Sequence, residues 1–280
     1  MSVKARVLAE NLFSKTQFPN HTIVGNEEPT GNEAFRVANG RRATDDFWTT
    51  TTANADANVK VTCNRVRGAD MAFLDRGHNL DGETFKIEGS DDDFTTIDTA
   101  VDITLPSQSS TLPLDNATGV KTEEGAWVML FPFRAHKYWR AFVSAMGAGL
   151  KPQIVGLSLG LSWEFPWIDQ PYGDNVTQLV VAEVESDAGW LGRSWPNTKR
   201  VQTARLKLDD FYSYGQARYH LEGRFGGGAP MVLVPNQEQA DRTLVVVRPK
   251  GQFGFRIASG WGYQQAEVAY VESQPKRVAL

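Results

Sequence analysis

Turn-forming residues cut this chain into short extended runs, and that pattern removes most folds at once. "NVKVTCNRV" (58–66), "ETFKIEGS" (83–90), "AWVMLFPF" (126–133), "YWRAFVSA" (138–145) and "QIVGLSLG" (153–160) alternate or cluster β-branched and aromatic residues between Gly, Pro, Asn and Asp. "QLVVAEVE" (178–185), "RVQTARLKL" (200–208), "PMVLVP" (230–235), "RTLVVVRP" (242–249), "FGFRIA" (253–258) and "AEVAYVES" (266–273) continue the pattern. Helical periodicity is almost absent, so the buried surface has to come from sheets. Many short strands at this spacing predict an all-β chain built from sandwiches or barrels. Short helices are expected only near 209–219 and 236–241.

Length sets the number of cores. At 280 residues the chain exceeds the usual single domain, so two are expected. The break falls in "LSWEFPWIDQPYGDN" (161–175), where Trp and Pro pairs and a Gly interrupt the strand pattern. The expected organisation is a sandwich over 1–162, a linker over 163–175 and a second, smaller β-rich domain over 176–280. The polar stretch 26–58 keeps Phe35, Phe47 and Trp48 and reads as long loops at one end of the first sandwich.

The formal net charge is −4 with both signs spread along the chain, so no basic stripe marks a nucleic-acid partner. No run of about 18 apolar residues is present to span a membrane as a helix. "MSVKARVLAE" lacks the apolar core of a secretion signal, and a chain made in the cytosol of its producer is expected. Cys63 is the single cysteine, which leaves no intramolecular disulfide and no thiolate pair for zinc.

Three chemistries have partial matches in the sequence. "GLSLG" (156–160) has the spacing of a nucleophile elbow, but that device needs a strand, a sharp turn and a helix, and no helix signal follows. "FGGGAP" (225–230) is followed by neither Lys-Ser/Thr nor a helix start, so it reads as a loop between strands and not a phosphate cradle. Paired or tripled Asp at 45–46, 91–93 and 209–210 lack calcium-loop spacing, and His21, His78, His136 and His220 show no ligand spacing. No catalytic residue, metal ligand set or cofactor is therefore expected, and the chain is expected not to be an enzyme.

The densest polar stretch is "FLDRGHNLDGETFKIEGSDDDFTTI" (73–97). "MAFLDR" (71–76) reads as a strand, "GHNLDG" (77–82) as a turn in which Asn79, Asp81 and Gly82 suit left-handed backbone, and "TFKIEGS" (84–90) as the return strand. "DDD" then makes the next turn. The same residues carry a resemblance. "GNEAFRVANGRRATDDFWTTTT", "DMAFLDRGHNLDGETFKIEGSDDDFTT", "KYWRAFVSA" and "QIVGLSLG", in that order, resemble a discoidin-type, galactose-binding-like jelly roll of the kind found in virion proteins of tailed bacteriophages. Asp92-Asp93-Phe94 stands where that family usually has an Asp-Gly turn. "SDAGWLGRSWPNTKRVQTARLKLDDFYS" is similar to the second β domain that often follows in phage tail proteins.

The resemblance implies a jelly-roll sandwich followed by a smaller β-rich domain. It implies a structural, non-enzymatic subunit of a phage virion, in the tail, baseplate or fibre-attachment region, assembled in the host bacterial cytoplasm. Its partners would be other virion proteins in a symmetric, multi-copy assembly, with Trp190, Arg193 and Trp195 as interface anchors. The alternative is a carbohydrate-binding module that recognises a receptor or host glycan. Sugar sites pair an aromatic platform with convergent polar groups. The candidates are Trp48 with Arg42, Asp45 and Asp46, and His78 with Arg76 and Asn79 from the next loop.

Overall fold

The computed structural model describes residues 5–8, 10–38, 47–106, 110–114, 117–122, 125–147, 149–165, 176–180, 183–185, 191–193, 197–208, 215, 219, 231–234, 245–249, 254–257, 264–272 and 276–277. The chain divides into two compact units. One comprises 7–163 with 238–244; the other comprises 1–6, 164–237 and 245–280. Both are built from antiparallel strands, so the chain is all-β. The segments expected to form helices near 209–219 and 236–241 lie almost wholly outside the described residues, as does most of the expected linker.

Strand β1 (Ala5–Leu8) opens the chain, followed by β2 (Thr22–Gly25) and a 3-10 turn, η1 (Ala34–Ala38). Then come β3 (Ala57–Leu74), β4 (Thr84–Ser90), β5 (Asp98–Thr104), β6 (Ser110–Leu114), β7 (Ala117–Lys121), β8 (Trp127–Val143) and β9 (Leu157–Gly160). The long pair β3–β8 organises this unit. In each, two sequence-predicted runs have become one strand with a bend. Thr62 pairs with Tyr138 and Arg67 with His136, so residues 63–66 stand against Lys137 alone. Ala69 pairs with Arg134 and Met71 with Leu130, so residues 131–133 stand against Asp70 alone. Two bulges, one per strand, bend the ribbon back on itself. Gly68 lies at the bend, where a Cβ would run into the Phe133 ring.

The partners of β3 and β8 change across the bend. On one side β2 pairs with β3 at 59–62 and β4 pairs with β8 at 138–143, giving the order β2-β3-β8-β4-β5. On the other side β9 pairs with β3 at 71–74 and β7 with β8 at 127–130. The core joins both halves. Val59, Val61, Phe85, Ile87, Trp139 and Ala141 from the first meet Ala72, Leu74, Trp127, Met129, Leu157 and Leu159 from the second. This is the jelly-roll sandwich expected from the sequence. Each large apolar side chain buried here stabilises the fold by roughly 1.5–3 kcal/mol. Cys63, 1% exposed, is a core filler whose thiol burial pushes to about 12.

The remaining strands are β10 (Ser162–Phe165), β11 (Val176–Val180), β12 (Glu183–Glu185), β13 (Leu191–Arg193), β14 (Asn197–Leu208), β15 (Met231–Val234), β16 (Val245–Pro249), β17 (Gly254–Ile257), β18 (Gln264–Glu272) and β19 (Lys276–Arg277). Within the second unit the strand order is β15-β16-β18-β14-β11, with β17 on β18 and β19 on β14. Strands β12 and β13 form a separate hairpin. Among the described residues no helix is long and apolar enough to cross a membrane.

Candidate recognition surface

The turn over 75–83, expected to offer His78, Asn79 and Arg76 to a ligand, spends its polar groups on the fold. Asn79 donates from Nδ2 to the Lys151 carbonyl (2.9 Å) and accepts the Gln153 N–H at Oδ1 (2.7 Å). His78 Nε2 faces the Gly125 carbonyl at 3.0 Å, and Nδ1 accepts the Leu80 N–H at 3.1 Å. One nitrogen donates and the other accepts, so these bonds select the neutral ring with its proton on Nε2. Burial pushes the His78 imidazole below its ordinary value, against the opposing pull of Asp81 and Gly125. Leu80 is fully buried, and Lys121 reaches Asp81 (2.8 Å) and the Pro106 carbonyl (2.8 Å). Arg76 is half-buried, and its backbone N–H donates to Asp75 Oδ1 at 2.8 Å. Within the turn Gly77 and Gly82 take the left-handed conformations, φ +91° and +86°; Asn79 and Asp81 do not.

Trp48 is corrected as a sugar platform: it is 0% exposed. Its backbone makes a two-bond bridge with Ile154 (2.9 and 3.0 Å), and its indole lies where a Cβ on Gly25 would be. A Trp beside a long polar loop looks like a ligand aromatic in sequence, but here it plugs the sandwich. Its proposed companions Arg42, Asp45 and Asp46 lie outside the described residues, as do Trp190 and Trp195. Arg193 ends β13, where only the backbone is described.

Among the described residues, an exposed aromatic with fixed polar neighbours lies elsewhere. The turn η1 packs against β2 and β9, the strands that border β3 on either side of its bend. Ala34 and Val37, three residues apart, point into the core, which leaves Phe35 outside at 48% exposure. The Arg36 guanidinium lies 5.9 Å from the Phe35 ring centroid. Its Nε donates to Glu33 Oε2 at 3.0 Å, and Glu33 Oε1 accepts the Gly31 N–H at 3.0 Å. The Gly31 and Glu33 N–H groups and Arg36 hold the Glu33 carboxyl down at about 2. Asn32 Nδ2 donates to the Phe47 carbonyl at 2.8 Å and ties this loop to the segment before Trp48. In sequence Phe35 is less conspicuous than Trp48 and the charge clusters and carries no polar signature of its own. The Ala-x-x-Val spacing around it was the available signal.

Among the described residues no group of three or more His, Cys, Asp and Glu side chains is placed to hold a metal ion. No family model matches the sequence, and no curated protein matches it. Several solved structures show a low-level likeness. A GH29 fucosidase of Ruminococcus gnavus in complex with fucose aligns at TM-score 0.41 and 10% identity, over 56% of this chain and 28% of that one. Chitosan-binding module 1 of a chitosanase/glucanase from Paenibacillus sp. IK-5 aligns at TM-score 0.38 and 17% identity, over 54% and 98%. CpGH89CBM32-5 from Clostridium perfringens, in complex with GalNAc-β-1,3-galactose, aligns at TM-score 0.39 and 10% identity, over 51% and 96%. The chain thus spans under a third of the fucosidase. The ligands belong to those proteins; the reading of this chain rests on its own residues.

Proposed function

We propose that the chain is a non-catalytic recognition module that binds carbohydrate on the face carried by η1. The observation behind this reading is Phe35, a half-exposed ring on a turn pinned at Ala34 and Val37. Glu33 and Arg36 stand beside it in fixed positions. A sugar ring stacks its C–H face on an aromatic plane while its hydroxyls bond to adjacent carboxylate and guanidinium groups. Both parts are ordered before ligand arrives, which lowers the entropic cost of binding. The test is a glycan array with the full chain, with fucose, chitotriose and GalNAc-β-1,3-galactose among the probes. Titration of the best ligand against Phe35→Ala follows. Loss of the platform is expected to weaken binding by about tenfold or more. Equal affinity in the variant, or no glycan bound at all, contradicts the reading.

A second reading is the structural virion subunit implied by the resemblance, acting through protein contacts in the tail, baseplate or fibre-attachment region. Exposed apolar side chains at the bend of the ribbon favour it: Val66 is 56% exposed and Phe133 63%. Large exposed apolar groups mark protein contact surfaces more often than sugar sites. Trp190, Arg193 and Trp195 are proposed as further anchors in the second unit. Antibody labelling of purified phage particles tests it. Label at a tail structure supports the subunit role, and intact particles without the chain exclude it.

A further inference from the structure

The triple Asp of residues 91–93 is absorbed by neither function, and each carboxylate has a separate task. Asp92 builds the turn: Oδ1 accepts the Ser90 hydroxyl (2.8 Å) and the Thr96 N–H (2.8 Å). Asp93 pairs with Lys60 of β3 at 2.9 Å. Asp91 reaches β8, where Oδ1 accepts the Lys137 N–H (3.0 Å) and Oδ2 lies 3.3 Å from His136 Nδ1. The other ring nitrogen, Nε2, lies 2.9 Å from Asp98 Oδ2 at the far end of the same turn. His136 thus stands between the two carboxylates that flank the turn, with its side chain 15% exposed.

A neutral imidazole has one N–H and one lone pair. It satisfies one carboxylate and presents a lone pair to the other. Only the imidazolium donates to both. We propose that His136 is a pH-sensitive latch that fastens the 91–97 turn to the sheet when protonated and releases the Asp91 side when neutral.

The surroundings fit a latch. Asp93 and Phe94 both take left-handed backbone, φ 55° and 67°, which L residues rarely adopt, so the turn holds its shape against local strain. The Phe94 ring is pressed over the Arg140 guanidinium at 4.3 Å and edge-on to Tyr138. Gly89, opposite on β4, leaves the room that the imidazole occupies; a Cβ there would collide with it. The groups facing the ring from each side are Asp91 and Asp98 on the turn and β5, and Arg134 on β8; the Lys137 backbone N–H lies on Asp91, and its ammonium lies over the Tyr138 ring. Arg67, its cross-strand partner, comes from β3, and the Trp139 edge lies at 5.3 Å. Glu88 on β4 is occupied by Arg140 at 2.6 Å. Burial would raise the Asp98 carboxyl, but Arg134 and His136 outweigh it and hold it below its ordinary value, so this acceptor stays charged under mild acid.

The sign follows from the donor count. The double contact requires a protonated ring and ionised carboxylates, so it is complete with the imidazolium and half lost with the neutral ring. The experiment uses the full chain, isotope-labelled, between pH 5.5 and 8. It follows the His136 ring nitrogens and the exchange of the Phe94, Thr96 and Lys137 amides, corrected for intrinsic pH effects. Exchange of these amides is expected to be about tenfold faster at the upper end, as loss of a charge-assisted bond implies, and to follow the ring titration. His136→Gln, with a single amide donor group that does not titrate, is expected to abolish the pH dependence. Asp91→Asn is expected to do the same and serves if the first variant misfolds. Equal exchange across the range, or an unchanged pH dependence in either folded variant, overturns the latch.

Discussion

Two turns lie within one 25-residue stretch, both rich in Asp and each bound by a His, and they are held by opposite physics. The 75–83 turn is tied inward. Leu80 is fully buried, Asn79 bonds the backbone of 151–153, and His78 is fitted as a neutral ring. The 91–97 turn is tied outward, through an ion pair to Lys60, the contact of Asp91 with the His136 ring, and Phe94 lying on Arg140. Composition alone does not separate them. What differs is whether the polar groups meet fixed backbone partners behind a buried plug or charged partners on the outer face of a sheet. The first arrangement keeps a single salt-sensitive contact, Lys121 with Asp81, and the second rests more heavily on contacts that salt weakens.

The largest contrast lies in the apolar anchors. Leu80→Ala is expected to cost about 2–5 kcal/mol by chemical denaturation, because it opens a cavity in a closed core. Phe94→Ala is expected to cost under about 1.5 kcal/mol, since its ring is partly in water. Similar losses would show that both turns share one kind of anchoring. Next comes Asn79→Ala, which removes the bonds to the Gln153 N–H and the Lys151 carbonyl, groups that water reaches, and is expected to cost about 0.5–1.5 kcal/mol. Thermal or urea unfolding reads it directly.

The pH dependence separates the two histidines. Burial lowers the folded-state value of His78, so folding favours the neutral ring. Its stabilisation is complete above the unfolded value near 6.5 and is lost as pH falls from there toward the lowered folded value. Urea midpoints measured from pH 8 to 5 are expected to fall in the wild type and to fall less in His78→Gln. A Gln can still accept from Leu80 and donate to Gly125. The smallest expected effect is Asp93→Gly, which relieves a left-handed residue and loses an exposed pair with Lys60. The two nearly cancel, leaving stability within about 0.5 kcal/mol of the starting chain.

Much of the sheet was legible. The run 83–90 became β4, 200–208 became most of β14, and 253–258 became β17, because alternation and turn residues agree there. The joins were not legible. Runs 58–66 and 71–76 are one strand, as are 126–133 and 138–145, and the bulges that join them break the period-two pattern that marks a strand. Gly68, between the first two runs, and Pro132, inside "AWVMLFPF", lie at the bend. For the candidate surface, sequence located the polar turns and misjudged their use. Hydrogen bonds from Asn79 and His78 go to residues 45 or more positions away, which no local pattern announces. In sequence Trp48 stands beside charged residues, but its neighbours in space are Gly25 and Ile154.

Under the proposed function the Asp- and His-rich turns are scaffold and the Phe35 turn is the surface that takes a glycan. The most direct measurement is an amide chemical-shift titration of the labelled full chain with the strongest glycan from the array. Expected are saturable shifts at 31–37, with Phe35 foremost, and little change at 75–83 or 91–97. Shifts centred on either polar turn, with the Phe35 region still, would contradict the claim.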